Sequence, residues 1–302
     1  MKMFPFFTRN RFPSAALGIA LLLSGWSATT SAQIVANFDA GNTSTAVDGN
    51  PGMAGEGWAG PWGNPNPGSG RTLTRTVVNT DPLKVGSGNY LSVTMTNSTV
   101  SATARRTELV RRTYEDEGLV SLNAPHTISF LYRINQPVGG ATPGIFDSAR
   151  NASEGNETSA FYLRVSGSEW GYYTAPGSWV GTEVPMIFGD TYAFTIQLDP
   201  VTKLWGFSVI NLDDADFSFS IDSLGFFGSD FYGETARDAV GGQLQWSMTL
   251  TDRPDGEAPI HSVTYDLDSI LIIPEPGVTA LLLGAGTLWL TGRLVCRRKN
   301  DV

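Results

Sequence analysis

A period-two alternation of apolar and polar residues is the feature that most constrains the fold of this chain. In residues 192–198 (YAFTIQL) every second residue is apolar, and residues 244–250 (LQWSMTL) repeat the pattern. Successive side chains of a β-strand point to opposite faces, so each such segment predicts a half-buried strand. Between residues 33 and 273 no stretch of twelve residues shows a helical period.

Turn residues separate these segments and predict an all-β architecture. Further strands are predicted at 34–39, 72–79, 89–96, 103–113, 127–134, 159–166, 203–210 and 262–273. The run Asp199-Pro200-Val201-Thr202 is typical of a turn and predicts a hairpin over 191–210. About ten short strands with Gly, Pro, Asn and Asp between them predict a two-sheet antiparallel sandwich. Segment 136–158, rich in Gly, Ser, Asn and Pro, is predicted to be a loop.

The N-terminal segment has the organisation of a secretory signal peptide. Basic residues Lys2, Arg9 and Arg11 precede the apolar stretch 15–23, and small residues follow up to Ala32. This order predicts a signal peptide over 1–32 with cleavage after Ala32. The exported domain is then 33–273.

A second apolar segment lies near the C-terminus. Residues 277–292 (GVTALLLGAGTLWLTG) carry no charge, and Arg293 can extend its side chain to the membrane surface. A transmembrane helix is therefore predicted over 277–296. The basic residues Arg297, Arg298 and Lys299 place the C-terminus in the cytoplasm by the positive-inside rule, with Arg293 at the helix end. The domain is expected to face outward from the inner membrane.

Charge and cysteine content exclude several functions for the domain. Residues 33–273 contain 13 basic and 27 acidic residues, a net charge of −14. Such a charge repels phosphate backbones and anionic lipids, so nucleic acid is not an expected partner. The only cysteine, Cys296, lies outside the domain, which excludes a disulfide framework and thiolate metal sites there. His126 and His261 are too few for a histidine-rich metal site, and both are expected at the surface or at strand ends.

The motif Pro274-Glu275-Pro276, the apolar helix and the basic end follow one another in residues 274–302. This arrangement resembles the PEP-CTERM sorting signal. The resemblance implies that an exosortase-type membrane peptidase recognises the motif and releases or transfers the protein to the cell surface or the extracellular space. A plain C-terminal membrane anchor is the alternative.

Three features of the domain resemble concanavalin A-like and laminin G-like jelly-roll domains. They are the opening strand ending in Asp39, the segment 55–62 (GEGWAGPW) and the Asp-rich closing strand with Asp266 and Asp268. The resemblance implies a jelly-roll sandwich, extracellular polysaccharide as partner and a structural Ca²⁺ between the first and last strands. Asp39, Asp266 and Asp268 are the predicted ligands, since 266 and 268 share one face of a strand. Ordinary solvated acids at strand ends are the alternative.

Aromatic residues near the middle of the domain are candidates for sugar binding. Trp170 and Tyr172 alternate on one strand face, and Trp179 follows, with Arg164 and Glu169 nearby in sequence. Sugar rings stack on aromatic faces beside polar groups, so these residues predict a ligand-binding platform. Packing in the core is the alternative.

No catalytic motif is present, so the domain is predicted not to be an enzyme. The Glu-x-Asp-x-x-Glu pattern of retaining glycosidases is absent, and neither a Gly-x-Ser-x-Gly elbow nor a P-loop occurs. The leading hypothesis is an exported, non-catalytic sandwich that associates with extracellular polysaccharide. The alternatives are a structural or adhesive protein that binds other proteins, and a divergent glycan-cleaving enzyme.

Overall fold

The computed structural model describes residues 34–36, 38, 71–86, 88–97, 106–113, 124–135, 141–148, 159–175, 178–227, 243–250 and 261–274. All of them belong to one compact unit, Ser31–Val302. Within them the regular structure is strand, and no helix occurs. The strands of this part of the chain are β1 (Ile34–Ala36), β2 (Arg71–Val78), β3 (Tyr90–Asn97), β4 (Arg106–Thr113), β5 (His126–Ile134), β6 (Ala141–Ser148), β7 (Ser159–Ser166), β8 (Glu169–Ala175), β9 (Ser178–Pro185), β10 (Thr191–Asp199), β11 (Leu204–Asn211), β12 (Ser218–Gly225), β13 (Gln243–Leu250) and β14 (His261–Pro274).

The strands form two antiparallel sheets. Sheet A has the order β12-β11-β10-β5-β14-β3-β2, with β1 paired to β14, and sheet B has the order β4-β13-β6-β7-β8-β9. Strands distant in sequence are neighbours, since β14 lies between β5 and β3 and β13 lies between β4 and β6. The predicted fold class, an all-β antiparallel two-sheet jelly-roll sandwich, is confirmed.

Side chains from both sheets meet in one apolar core. In β10 the alternation places Phe194 in this core, and in β13 it places Trp246 there. Phe130 of β5 stacks on Phe194 at 5.2 Å and meets the edge of Trp246 at 5.5 Å. Full burial of one such side chain contributes about 1.5–3 kcal/mol, so the alternating residues hold the sheets together. The face of each sheet toward this core is called its inner face, and the opposite one its outer face.

The predicted hairpin over 191–210 is present as β10 and β11, paired throughout. Asp199 forms the turn: its Oδ1 accepts hydrogen bonds from the backbone N of Val201 (2.9 Å) and of Thr202 (3.2 Å). Its Oδ2 accepts one from the Thr202 hydroxyl at 2.6 Å. These bonds to the ionised form lower the pKa of Asp199, led by the one from the Thr202 side chain.

The prediction of a loop over 136–158 is wrong for its middle part. Residues 141–148 form β6, which pairs with β13 on one side and with β7 on the other. A strand between two neighbours satisfies its backbone donors and acceptors through the sheet. Its formation therefore does not require the alternation that the sequence of β6 lacks.

The predicted targeting segments lie mostly outside the described residues. This applies to the signal peptide 1–32, to Glu275 and Pro276, to the helix 277–296 and to Arg293, Arg297, Arg298 and Lys299. Pro274 is described: it is the last residue of β14 and pairs with His126 of β5. Within the described ranges, no helix has the length and apolarity needed to cross a membrane.

Candidate functional site

Trp170 and Tyr172 share one face of β8, as predicted, but it is the inner face. Trp170 is 1% exposed and Tyr172 5% exposed. The Trp170 ring meets the edge of Phe194 at 5.0 Å, and Tyr172 meets that of Phe207 at 5.5 Å. This corrects the expectation of an exposed Trp170/Tyr172 platform, because both rings pack between the sheets and offer no face to a ligand.

The outer face of sheet B carries a different aromatic group. Tyr173 lies opposite Trp179 in the register of β8 and β9. Its ring stacks on Tyr162 of β7 at 4.9 Å, and Phe227 meets the edges of Tyr162 and Tyr173 at 5.7 and 5.6 Å. We call Tyr162, Tyr173, Trp179 and Phe227 the outer aromatic cluster. Its first three members are half-buried, so parts of their rings reach solvent.

Gly171 of β8 makes room for the Trp179 ring, and Gly181 of β9, opposite it, makes room for the Glu169 carboxylate. Gly171 pairs with Gly181. A Cβ at Gly171 would overlap the Trp179 ring, and one at Gly181 would overlap the Glu169 carboxylate. The Trp179 ring therefore lies across Gly171, and its Nε1 donates a hydrogen bond to the backbone O of Arg164 at 3.3 Å. One side of the ring is seated on the sheet, which leaves the other side directed away from it.

Arg164 supplies a positive charge beside these rings. Its Nη1 donates a hydrogen bond to the Tyr173 hydroxyl at 3.1 Å. In the described part of the chain, no carboxylate forms an ion pair with it. Burial raises the pKa of Tyr162, and the charge of Arg164 acts in the opposite direction. Arg164 thus places a positive charge, held by this hydrogen bond, beside the rings, and its guanidinium has further N–H donors.

Gln245 is a buried amide on the same outer face. Leu244, Trp246 and Met248 of β13 lie in the core, so the alternation places Gln245 on the outer side. Gln245 is 0% exposed, and among the residues that the structure describes neither its Oε1 nor its Nε2 has a hydrogen-bond partner. Leaving a buried polar group without a partner costs about 1–3 kcal/mol. With 0% exposure, the amide is also closed to a ligand that approaches from solvent.

Backbone register connects Gln245 to the aromatic cluster. Gln245 pairs with Arg111 of β4 and with Phe146 of β6, and Phe146 pairs with Tyr162. One row across sheet B therefore contains residues 111, 245, 146, 162, 173 and 179 in that spatial order. Gln245 and Trp179 are four strand spacings apart, about 19 Å, which exceeds the width of one sugar ring.

The predicted calcium site is described only in part. β1 and β14 are antiparallel neighbours, as the prediction required, with Ala36 opposite Ile270. Asp39 lies outside the described residues. Asp266 and Asp268 are both 1% exposed, so they are not solvated acids. Among the residues that the structure describes, no group of three His, Cys, Asp or Glu side chains could hold a metal ion. Calcium binding by Asp39, Asp266 and Asp268 stays a prediction.

Asp266 has a protein cation as its partner. Its Oδ2 accepts hydrogen bonds from Arg133 Nε at 3.0 Å and from Asn135 Nδ2 at 3.2 Å, and it lies 2.9 Å from Arg133 Nη2. Arg133 also contacts Asp81 Oδ2 at 3.1 Å. Burial opposes the charge of Arg133, but the two carboxylates outweigh it and raise its pKa.

A cavity and a buried histidine lie on sheet A. The cavity, about 260 Å³, lies at the end of β10–β12 between Asp199, Trp205 and Asp222. It is smaller than the roughly 300–1,000 Å³ of typical ligand sites. His126 begins β5, as a strand-end residue, but it is 0% exposed, and its Nδ1 lies 3.0 Å from the backbone O of Ala124.

Sequence reasoning named Trp179, Arg164 and Glu169 in this region, did not select Tyr173 as a ligand-binding residue, and missed Tyr162 and Gln245. The signal that could have found Tyr173 is the glycine at 171, because small residues beside aromatic ones leave room for a ring to lie on the sheet. No local signal marks Gln245, since its lack of partners depends on residues distant in sequence.

No protein-family model matches the chain, and no curated protein matches it. Several solved structures resemble it. Alginate lyase A1-II′ of polysaccharide lyase family 7 is 12% identical over 66% of this chain and 82% of that one, with a TM-score of 0.40. Lectin II from Ulex europaeus is 14% identical over 70% and 94%, with a TM-score of 0.37. Alginate lyase AlgAT5 is 9% identical over 66% and 82%, with a TM-score of 0.39. Likenesses this remote identify neither a ligand nor a reaction for this chain.

Proposed function

We propose that this chain is an exported, non-catalytic surface or matrix protein whose domain associates with extracellular polysaccharide. The observation that carries the proposal is the outer aromatic cluster beside Arg164 on sheet B. Half-buried rings next to hydrogen-bonding groups are the arrangement on which sugar C–H faces stack while hydroxyls find polar partners. The core aromatics, by contrast, are accounted for by packing alone.

The geometry of Trp179 supports sugar stacking on this face. Its ring is held flat by the absence of side chains at Gly171 and by the hydrogen bond from its Nε1 to Arg164. A ring fixed before the ligand arrives loses little conformational freedom on binding, which favours affinity. Tyr173 is held in a similar way, between the Tyr162 ring and the Arg164 guanidinium.

Two alternatives use the same face. Aromatic residues and arginine are also enriched in protein–protein interfaces, so a structural or adhesive protein that binds other proteins is the second candidate. A divergent glycan-cleaving enzyme would need an acid and a base in a groove. Glu169, the acid beside the cluster, already accepts a hydrogen bond from the backbone N of Glu183 at 2.8 Å.

Binding to immobilised polysaccharides tests the proposal. The full-length chain, purified in non-ionic detergent, would be passed over a panel of acidic and neutral glycans, with calcium and with chelator. Trp179→Ala and Tyr173→Ala should each weaken binding by about tenfold, since stacking residues at binding sites contribute on the order of 1–2 kcal/mol. Phe188→Ala is the matched control, because Phe188 is an exposed aromatic (41%) between β9 and β10.

The outcomes separate the three candidates. Binding that depends on Trp179 and produces no new reducing ends supports the proposal. New reducing ends would favour the enzyme. Retention of no glycan at all would reject glycan association and favour the protein-binding alternative. Loss of binding in chelator would in addition support the predicted calcium site.

We also propose that Pro274-Glu275-Pro276 is read by an exosortase-type peptidase after export. Replacing the three residues by alanine should leave unprocessed protein in the inner membrane, detected as a larger species in membrane fractions. Because Pro274 is part of β14, the variant needs a check of folding by circular dichroism. Normal processing of a folded variant would contradict the sorting proposal and favour a plain anchor.

A further inference from the structure

We propose that the outer face of sheet B selects glycans that carry acidic groups, with Arg164 binding the anion beside the outer aromatic cluster. The inference rests on the proposed function and adds the class of glycan. Two observations carry it: a guanidinium that no described carboxylate pairs with, and its position beside the half-buried rings of the outer aromatic cluster.

The isolation of Arg164 is unexpected for this domain. Acidic residues outnumber basic ones by 27 to 13 in residues 33–273, so a cation has many carboxylates available. Arg133 is bound by Asp266 and Asp81, and Lys84 lies 2.5 Å from Asp213. Within the described part of the chain, Arg164 instead donates through Nη1 to the neutral hydroxyl of Tyr173. A guanidinium has five N–H donors in a planar fork, so Arg164 can still bind a carboxylate or a sulfate.

The overall charge of the domain does not prevent such binding. Exposed charges more than about 10 Å apart are largely screened at 0.1 M ionic strength. A charge-assisted hydrogen bond on a half-buried face is screened less and is about twice as strong as a neutral one. The net charge of −14 repels polyanions that make no specific contact with the domain. Retention of an acidic glycan would therefore report a local contact.

The position of Arg164 supplies the second observation. Its Nη1 donates a hydrogen bond to the Tyr173 hydroxyl at 3.1 Å, and Trp179 Nε1 donates one to its backbone O at 3.3 Å. An acidic sugar stacked on Trp179 or Tyr173 would therefore bring its anionic group beside the guanidinium.

The experiment compares matched glycans by biolayer interferometry, using the full-length chain in non-ionic detergent. One pair is polygalacturonate and its carboxyl-reduced neutral form, and the other is dextran sulfate and dextran. We expect the acidic member of at least one pair to bind about tenfold more tightly, the scale of one charge-assisted hydrogen bond. The two pairs distinguish a carboxylate from a sulfate as the anion.

Two variants complete the test. Arg164→Gln should lose the preference for the acidic member. Lys203→Gln removes the same charge from an exposed position between β10 and β11 and should keep the preference.

Each result bears on a different statement. Equal binding of acidic and neutral members, or an unchanged preference in Arg164→Gln, would overturn the acidic selectivity while glycan association stands. Retention of none of the four glycans would overturn the proposed function itself.

Discussion

The outer faces of the two sheets use the same pair of residue types in opposite ways. On sheet A the guanidinium of Arg133 lies 5.3 Å from the centre of the Tyr90 ring, and on sheet B Arg164 binds the hydroxyl of Tyr173. Arg133 is 6% exposed and contacts two carboxylates. Arg164 is half-buried and forms no ion pair with any described residue.

The covering of sheet A explains the contrast. Leu83 and Tyr90 pack on Leu131 as a small second core on its outer face, which encloses Arg133 and Asp266. A buried charge requires a partner, because an unpaired one costs several kcal/mol. Arg164 retains contact with solvent and tolerates the lack of a partner. The state of pairing, and not the residue type, therefore separates a structural arginine from one available to a ligand.

The largest expected effect concerns stability. Arg133→Met leaves the Asp266 carboxylate buried without its cation and should lower the free energy of unfolding by about 3–5 kcal/mol. Arg164→Met loses one hydrogen bond and should cost only about 0.5–1.5 kcal/mol. Urea unfolding followed by tryptophan fluorescence measures both. Adding Asp266→Leu to Arg133→Met should recover most of the loss, and equal losses for the two arginines would remove the distinction between the faces.

A smaller effect is expected from Gly171→Ala on sheet B. The added Cβ overlaps the Trp179 ring and the backbone O of Val180, so the ring must leave its seat. Overpacking of this kind costs about 1–3 kcal/mol, and glycan binding should fall with it. In the control Gly225→Ala, the Cβ meets no atom within 4 Å. Unfolding and glycan-binding measurements on both variants are compared. Unchanged glycan binding by Gly171→Ala would show that binding does not require the position of the Trp179 ring across Gly171.

The smallest effect is on tyrosine ionisation, which reports the local charge of each face. The pKa of Tyr90 is raised by burial and then by Asp266, whereas the pKa of Tyr162 is raised by burial and lowered by Arg164. Asp266→Asn should therefore lower the pKa of Tyr90, and Arg164→Gln should raise that of Tyr162. Phenolate absorbance, with Tyr90→Phe and Tyr162→Phe to assign the signals, measures both shifts.

The sign for stability follows from the raised pKa of Tyr162. The contribution of Tyr162 to the free energy of unfolding is complete below the ordinary tyrosine pKa of about 10. It is lost as the pH rises through the pKa of Tyr162 in the folded state. Arg164→Gln should extend this loss to higher pH. Shifts of the same sign at Tyr90 and Tyr162 would indicate that the two faces do not differ in local charge.

A strand was predictable from the sequence to the extent that apolar and polar residues alternate along it. β2, β3, β5, β7, β10, β11, β13 and β14 begin and end within two residues of the predicted segments. β6, β9 and β12 were not predicted as strands, because their pairing in the sheets, and not their own pattern, specifies them. Of β8, only the shared face of residues 170 and 172 was predicted. The order of strands in the sheets depends on contacts between distant residues, which a periodicity does not contain.

The candidate site was predictable only in its neighbourhood. Alternation correctly placed residues 170 and 172 on one face of β8, but it did not say which face is covered by the other sheet. The pairing of Asp266 with Arg133 joins residues 133 positions apart, so the sequence near Asp266 gave no indication of it. Trp179 lay within the predicted group and is on the outer face.

The position of β14 has a mechanical consequence. This strand of 14 residues is bonded to β5 on one side and to β3 and β1 on the other, and its last residue is Pro274. Antiparallel hydrogen bonds are perpendicular to the strands, so a pull on the chain at Pro274 along β14 loads them in shear, all at the same time. Tension applied at this point would be resisted by the middle of sheet A as a whole and would not peel residues away one by one.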